Sequence, residues 1–215
     1  MAAKQTGWQK SQNLINQVGL GAQLPPDLFK WLKQACAKAF YEKKKANKAL
    51  VGHLKEEYYI THKTKEFEDF TLRLTTSPVF TNYKKDECKW LNKNIPISLQ
   101  ELWVNFMKKH EFNPPHNHAG IFSFIIFVKI PYKLEEETKK FNDVSTDNNP
   151  SYTSRTAFLF PNQRGVIQCL PMEVDKSFEG KIVIFPSKLV HELYPFYTSN
   201  GYRKTVSGNI KGMIK

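Results

Sequence analysis

Cysteine is scarce in this chain: Cys36, Cys88 and Cys169 are three among 215 residues, far apart in sequence. That spacing excludes a disulfide scaffold and a cysteine-based zinc module, and it fits a reducing compartment. Long apolar runs are missing too, with nothing near the ~20 residues that a membrane-spanning helix needs. The first residues, MAAKQTGWQKSQNL, hold no apolar h-region of a secretory signal, so a cytoplasmic protein is expected. Acidic residues are outnumbered, 20 against 32 basic ones, for a net charge of +12. Such an excess attracts polyanions, which keeps nucleic acid open as a partner. The lysines are dispersed, however, and the densest run, YEKKKANK, falls where a helix should end and cations are favoured. No basic–aromatic interleaving marks a nucleic-acid surface, so a solvated lysine-rich exterior is the preferred reading.

Apolar residues make up 40% and aromatics 13%, enough for a globular core of one domain. LPPDLFKWLKQACAKAFYEKKKANKAL predicts a long amphipathic helix, with Leu28, Leu32, Ala35, Cys36, Ala39 and Phe40 recurring at threes and fours after a Pro-Pro-Asp start. From about residue 66 the pattern turns to strands. FTLRLTT places Phe70, Leu72 and Leu74 on one face, and LQELWVNFMKK, IFSFIIFVKI, RTAFLF, GVIQCL, GKIVIF, HELYPFY and YRKTVSGNI follow between Gly, Pro and Asn breaks. Many short strands without intervening helices predict a mainly β, antiparallel sandwich or barrel of the jelly-roll kind. The expected organisation is an extension over residues 1–24 and a single domain over 25–215. Residues 132–152 are polar, charged with both signs and long for a loop, as lids or disordered insertions are.

NPPHNHAGIFSFIIFV sets His116 and His118 two apart, on one side of an extended chain. Two imidazoles so placed can reach one ion, and the prolines stiffen the approach. His191, in GKIVIFPSKLVHELYPF, also stands beside an apolar strand near a proline. Three imidazoles from two strands would leave coordination positions open, as catalytic metals require. Asn200-Gly201 then signals a hairpin, which would run the His191 strand back beside itself and carry Arg203 on the returning strand. Six steps along it separate the two residues by about 20 Å. A planar guanidinium there suits a carboxylate.

In this order and spacing, PPHNHAGIFSFIIFV, GKIVIFPSKLVHELYPF and GYRKTVSGN resemble the Fe(II)- and 2-oxoglutarate-dependent oxygenases. The nearest likeness is to the prolyl-hydroxylase-like branch and its short tailed-phage forms, which would place the protein in a host-cell cytoplasm. NKALVGHLKEEYYI and LWVNFMKKHEFN are similar as well, so the resemblance covers most of the chain from about residue 25. It implies a double-stranded β-helix, or jelly roll, with Fe(II) at one end. It implies His116, His118 and His191 at the metal, Arg203 on the far carboxylate of 2-oxoglutarate, Thr205 supporting that arginine, and Ser123 lining the cosubstrate pocket. His-x-His departs from the usual His-x-Asp/Glu, and three arrangements stay open: a neutral triad, His116 and His191 completed by water or an anion, or His118 as the first ligand. Glu111 and Glu192 are the acidic reserves, with Glu192 expected to face away from the metal.

The reaction implied consumes O2 and 2-oxoglutarate, releases succinate and CO2, and hydroxylates a substrate. A peptidyl side chain such as proline is the expected substrate, and a nucleobase stays possible. Ile125, Phe127, Ile182, Ile184 and Val206 would keep the site dry. The competing readings are a non-catalytic jelly-roll binding module, a nucleic-acid-binding protein, and a three-histidine cupin-type dioxygenase that does not use 2-oxoglutarate.

Overall fold

The strand Phe122–Lys129 is apolar on both faces and buried along most of its length. Phe122, Phe124, Ile126 and Val128 pack with Leu32, Phe67 and Phe80 of the helical layer, whereas Ile125 and Phe127 pack with Phe158, Phe178 and Phe185. One strand thus divides two cores, one beneath helices and one between sheets. Full burial of each such side chain contributes about 1.5–3 kcal/mol, so this strand anchors both layers. Its unbroken apolar run fits a strand covered on both faces, and one of its covers is helical.

The computed structural model describes residues 5–86, 96–141 and 151–212; Cys88 and part of the 132–152 segment lie outside them. In chain order the elements are α1 (Gly7–Val18), β1 (Leu20–Gln23), α2 (Pro26–Glu42), β2 (Glu57–Tyr59), α3 (Lys65–Leu74), α4 (Thr81–Asp86), β3 (Ile97–Met107), β4 (Asn113–His116), β5 (Phe122–Lys129), α5 (Leu134–Lys139), β6 (Thr156–Pro161), β7 (Ile167–Met172), β8 (Lys181–Pro186), β9 (Val190–Leu193) and β10 (Arg203–Gly212). A six-stranded sheet runs β1-β8-β5-β10-β3-β2, and a four-stranded sheet runs β4-β9-β6-β7. All pairings are antiparallel. From β3 onward the chain passes back and forth between the sheets, and the two inner faces enclose a cleft. This is the expected jelly roll with helices on its outer face. Among the described residues no helix is long and apolar enough to cross a membrane.

Four local expectations are corrected. FTLRLTT belongs to α3: Thr64 caps the helix by accepting from the Phe67 amide at 3.2 Å, and the buried set Phe67, Phe70 and Thr71 follows helical rather than strand period. Residues 7–23, expected as an extension, pack into the domain. Gly7 N donates to Asp175 Oδ2 at 2.7 Å, the Ile15 side chain is wholly buried, and β1 pairs with β8.

Within 132–152, α5 is pinned by Glu137, whose buried carboxylate accepts from the amides of Tyr197 and Thr198. The Asn200-Gly201 hairpin does not form. β9 lies in the small sheet while β10 lies between β3 and β5 in the large one. The backbone groups that a hairpin would use are engaged elsewhere: Pro195 O accepts from Ser154 N and Phe196 O accepts from His110 N. Gly201 does not have positive φ. Its lack of a side chain serves a close approach, since a Cβ there would meet Pro131 at 2.9 Å.

Candidate metal centre and cleft

β4 and β9 are short neighbours in the small sheet, and their register sets His116 directly across from His191. Cross-strand partners have Cβ atoms about 5 Å apart, so two imidazoles on one face meet without strain. His118 lies just past the end of β4, where its amide donates to Ser187 O at 2.8 Å. That tie returns its ring to the other two. Ligand atoms of His116, His118 and His191 all lie within 4.8 Å of one another.

The outer ring nitrogens are held in place. Nδ1 of His116 is 2.7 Å from Pro114 O, and Nδ1 of His191 is 3.1 Å from Leu189 O. A carbonyl oxygen only accepts, so each Nδ1 carries the proton and each Nε2 presents a lone pair. Fixing the tautomer by an outer hydrogen bond is how metal-binding imidazoles are oriented. His118 Nε2 stands 3.3 Å from His191 Nε2. An ion about 2.1 Å from each imidazole nitrogen holds adjacent nitrogens roughly 3 Å apart, so the pair already has the separation of two neighbouring ligands. The donor set therefore fits a divalent transition metal.

Burial holds all three imidazoles below the ordinary histidine pKa. For His191, desolvation leads and the other two rings add to it. His118 falls to about 4 through burial and His116, against a pull from Glu101. His116 is lowered by burial against the Pro114 carbonyl. At neutral pH the triad is neutral and ready to bind without losing protons. It also leaves the charge of a bound dication uncompensated by protein, which strengthens the hold on an anionic co-ligand.

Neither acidic reserve joins the cluster. The Glu111 carboxylate accepts from Lys55 N at 3.2 Å and Lys108 N at 2.8 Å, fastening a turn. Glu192 borders the cleft, but its carboxylate is engaged by Tyr194 and Cys169. Among the described residues the group able to hold a metal is the histidine triad.

Arg203 enters from the facing sheet and lines the same cleft as the triad. It is 1% exposed. Nη1 donates to Ser154 O at 2.9 Å and Nη2 to Thr156 Oγ1 at 2.8 Å, while Nε is buried without a partner among the described residues. Among the described residues no carboxylate neutralises it; burial lowers its pKa and Tyr132 alone opposes. Thr156 lies two residues along β6 from Phe158, the cross-strand partner of His191. Two strand steps are roughly 7 Å. The guanidinium is therefore much nearer the triad than the 20 Å hairpin estimate, because it reaches across from the opposite sheet.

Thr205 also lines the cleft, and its Oγ1 accepts from Asn105 Nδ2 at 3.2 Å. Ser123 does not line it. Its hydroxyl is taken up by Ser187 Oγ at 2.8 Å and Asn209 Oδ1 at 2.7 Å, in a buried network. Of the expected apolar lining, Ile125 borders the cleft and Phe127 lies 5.9 Å beneath the guanidinium. Ile182, Ile184 and Val206 face the helices instead. Sequence reasoning missed Glu57, Asn105 and Asn113 as cleft residues. Asn105 sits on the same face as Trp103 in a strand whose polar positions were legible, but no pattern in NKALVGHLKEEYYI singles out Glu57. Counting its open mouth, the empty space of the cleft is about 660 Å³.

A family model described as "Putative 2OG-Fe(II) oxygenase" matches residues 101–209. Among solved structures, a prolyl-4-hydroxylase from Pseudomonas putida aligns with a TM-score of 0.53 at 12% identity, covering 93% of this chain and 100% of that one. AviO1 from Streptomyces viridochromogenes Tue57 gives 0.50 at 11% identity, covering 98% and 97%. At such identities the likeness is one of fold. No curated protein matches the chain.

Proposed function

The chain belongs to the 2OG-Fe(II) oxygenase family, whose cofactors are Fe(II) and 2-oxoglutarate, and from that premise we propose that it hydroxylates a peptidyl side chain, using His116, His118 and His191 at the metal and Arg203 with Thr205 at the cosubstrate. The observation that carries this reading is the buried Arg203 with no carboxylate among the described residues to neutralise it, in one cleft with three converging neutral imidazoles. A buried unpaired charge is costly, and a dicarboxylate bound between the two ends supplies the missing anion.

Fe(II) with 2-oxoglutarate and O2 supplies the oxidising chemistry, in which succinate and CO2 leave and a C–H bond of the substrate becomes C–OH. The chain's own residues position and exclude. Pro114 and Leu189 carbonyls keep the His116 and His191 rings turned inward. Ser154 O and Thr156 Oγ1 hold the guanidinium plane, leaving further N–H groups for a carboxylate. Phe127 and Ile125 keep water from that end. Past His118 the cleft adjoins a second hollow lined by Leu50, Tyr59, Trp103 and Lys211. A peptide also fits the fold shared with the Pseudomonas putida prolyl-4-hydroxylase.

Succinate formation from 2-oxoglutarate with Fe(II) is the direct test. The wild type forms succinate, His191→Ala forms none, and Arg203→Ala raises the KM for 2-oxoglutarate about 100-fold, as expected for truncating a buried charged hydrogen-bonding partner. Oxidation that persists unchanged in Arg203→Ala would point to a cupin-type reaction without 2-oxoglutarate. No succinate under any condition, with metal bound, would leave a binding module.

A further inference from the structure

One buried carboxylate in the cleft has no part in that reaction. Glu57, on β2, is the cross-strand partner of Asn105, is 1% exposed, and lines the cleft. Its Oε2 accepts from Asn47 Nδ2 at 3.1 Å, and Oε1 accepts no hydrogen bond among the described residues. Oε1 and Asn113 Oδ1 converge on the bare Cα of Gly52, and all three residues line the cleft. A Cβ placed on Gly52 would lie 2.9 Å from the first and 2.7 Å from the second, closer than a side chain tolerates. Among the described residues Asn113 Oδ1 is buried without a partner, and so is Oδ1 of Asn105. Leaving a buried acceptor without a donor is costly. The amide oxygens accept, and so does the carboxylate once ionised, so a ligand that pairs with them at this end of the cleft must donate.

We propose that Glu57 and Asn113 form a substrate subsite for a cationic nitrogen, an alkylammonium group, while the Arg203 end takes the dicarboxylate. This rests on the cleft being the catalytic one. The two ends carry opposite charge, so each rejects the ligand of the other. Burial and nearby Glu111 push the Glu57 carboxyl up to about 7, with Lys45 pulling the other way. An entering cation would draw off that proton and leave an ion pair. The net charge of +12 does not forbid a basic ligand, since exposed charges are screened beyond about 8 Å at physiological salt. Gly52 is part of the subsite by its bareness, because any side chain there would crowd both oxygens.

Anaerobic calorimetry of the full chain with Fe(II) and 2-oxoglutarate tests this, using acetyl-Gly-Lys-Gly-amide, its norleucine analogue, and n-butylamine. The lysine peptide binds at least about tenfold more tightly than the norleucine peptide. Glu57→Gln and Gly52→Ala, each with an unchanged circular dichroism spectrum, reduce that preference to within about twofold, the first by removing charge and the second by displacing the two oxygens. n-Butylamine binding as tightly as the lysine peptide supports the subsite and assigns it to a free amine rather than a peptide. Equal binding of the two peptides, binding of neither, or a preference retained in Glu57→Gln overturns the proposal. Succinate formation separates this from the oxygenase reading: turnover without lysine preference removes the subsite alone, and lysine preference without turnover removes the reaction alone.

Discussion

Val206, Gly208 and Ile210 of β10 turn toward the helices, while Arg203, Thr205, Ser207 and Asn209 turn between the sheets. Both sets are buried, in one strand, two residues apart in alternation. The helix-facing set is packed by shape: a Cβ on Gly208 would meet the Phe124 ring at 2.5 Å. The inward set is polar, and its neighbours on β3 and β2, Asn105 and Glu57, are polar too. Stability comes from the first face, where apolar area is removed from water. The second face gives some of it back, in a buried cation, a carboxyl raised by burial, and unpaired amide oxygens. Such a division is expected where binding groups must be fixed in place before their ligand arrives.

The sharpest way to separate the faces is Phe124→Ala. The ring is 1% exposed and contacts Phe67 of α3 edge-on at 6.3 Å. Its loss should cost about 3–5 kcal/mol, read as a lower midpoint in urea unfolding. Affinity of the remaining folded protein for 2-oxoglutarate should be unchanged, because no part of that ring enters the cleft. A fall in affinity comparable with the fall in stability would mean the two faces are not independent.

Alternation is also why much of the cleft was legible. β10, β5 and β8 show their period or their continuous apolar run, and the His-x-His pair sits where i and i+2 share a side. The misread parts have physical causes. Phe70, Leu72 and Leu74 satisfy a strand pattern, but Thr64 as cap, with Glu66 and Glu68 in the first turn, favours the helix. In α1 the buried set is Gly7, Ser11, Ile15 and Val18, too few apolar residues to announce an amphipathic face. Asn200-Gly201 reads locally as a hairpin, yet tertiary partners take the backbone groups of Pro195 and Phe196 and carry the chain to the other sheet. Glu57 acquires its environment from β3 and the segment around Asn47, which no local pattern encodes.

Glu57 sharpens the comparison through pH. Its carboxyl titrates near 7 in the folded chain against 4.5 for an ordinary glutamate. Between those values the unfolded chain has released the proton and the folded chain has kept it, so the folded state binds more protons and loses stability as pH rises. The loss is about 3 kcal/mol at most, complete above pH 7 and absent below 4.5. Glu57→Gln removes it, so the stability of the variant minus that of the wild type should grow by up to this amount from pH 4.5 to 8. Urea unfolding at both ends of the window checks the sign, and a difference that shrinks with pH would mean the carboxyl is ionised in the folded protein well below 7.

Arg203 gives the smallest change in stability and the one most particular to a binding site. Ser154 O already accepts from Tyr132 Oη at 3.0 Å, so it keeps a partner when the guanidinium is gone. Replacing the arginine by methionine removes a desolvated cation and retains much of the buried volume over Phe127. The ligand-free variant should then be more stable than the wild type by about 1 kcal/mol. Added 2-oxoglutarate should raise the melting temperature of the metal-loaded wild type and leave that of Arg203→Met unmoved. A group kept for packing would show the reverse, because its removal would weaken the ligand-free fold and leave the ligand's effect intact.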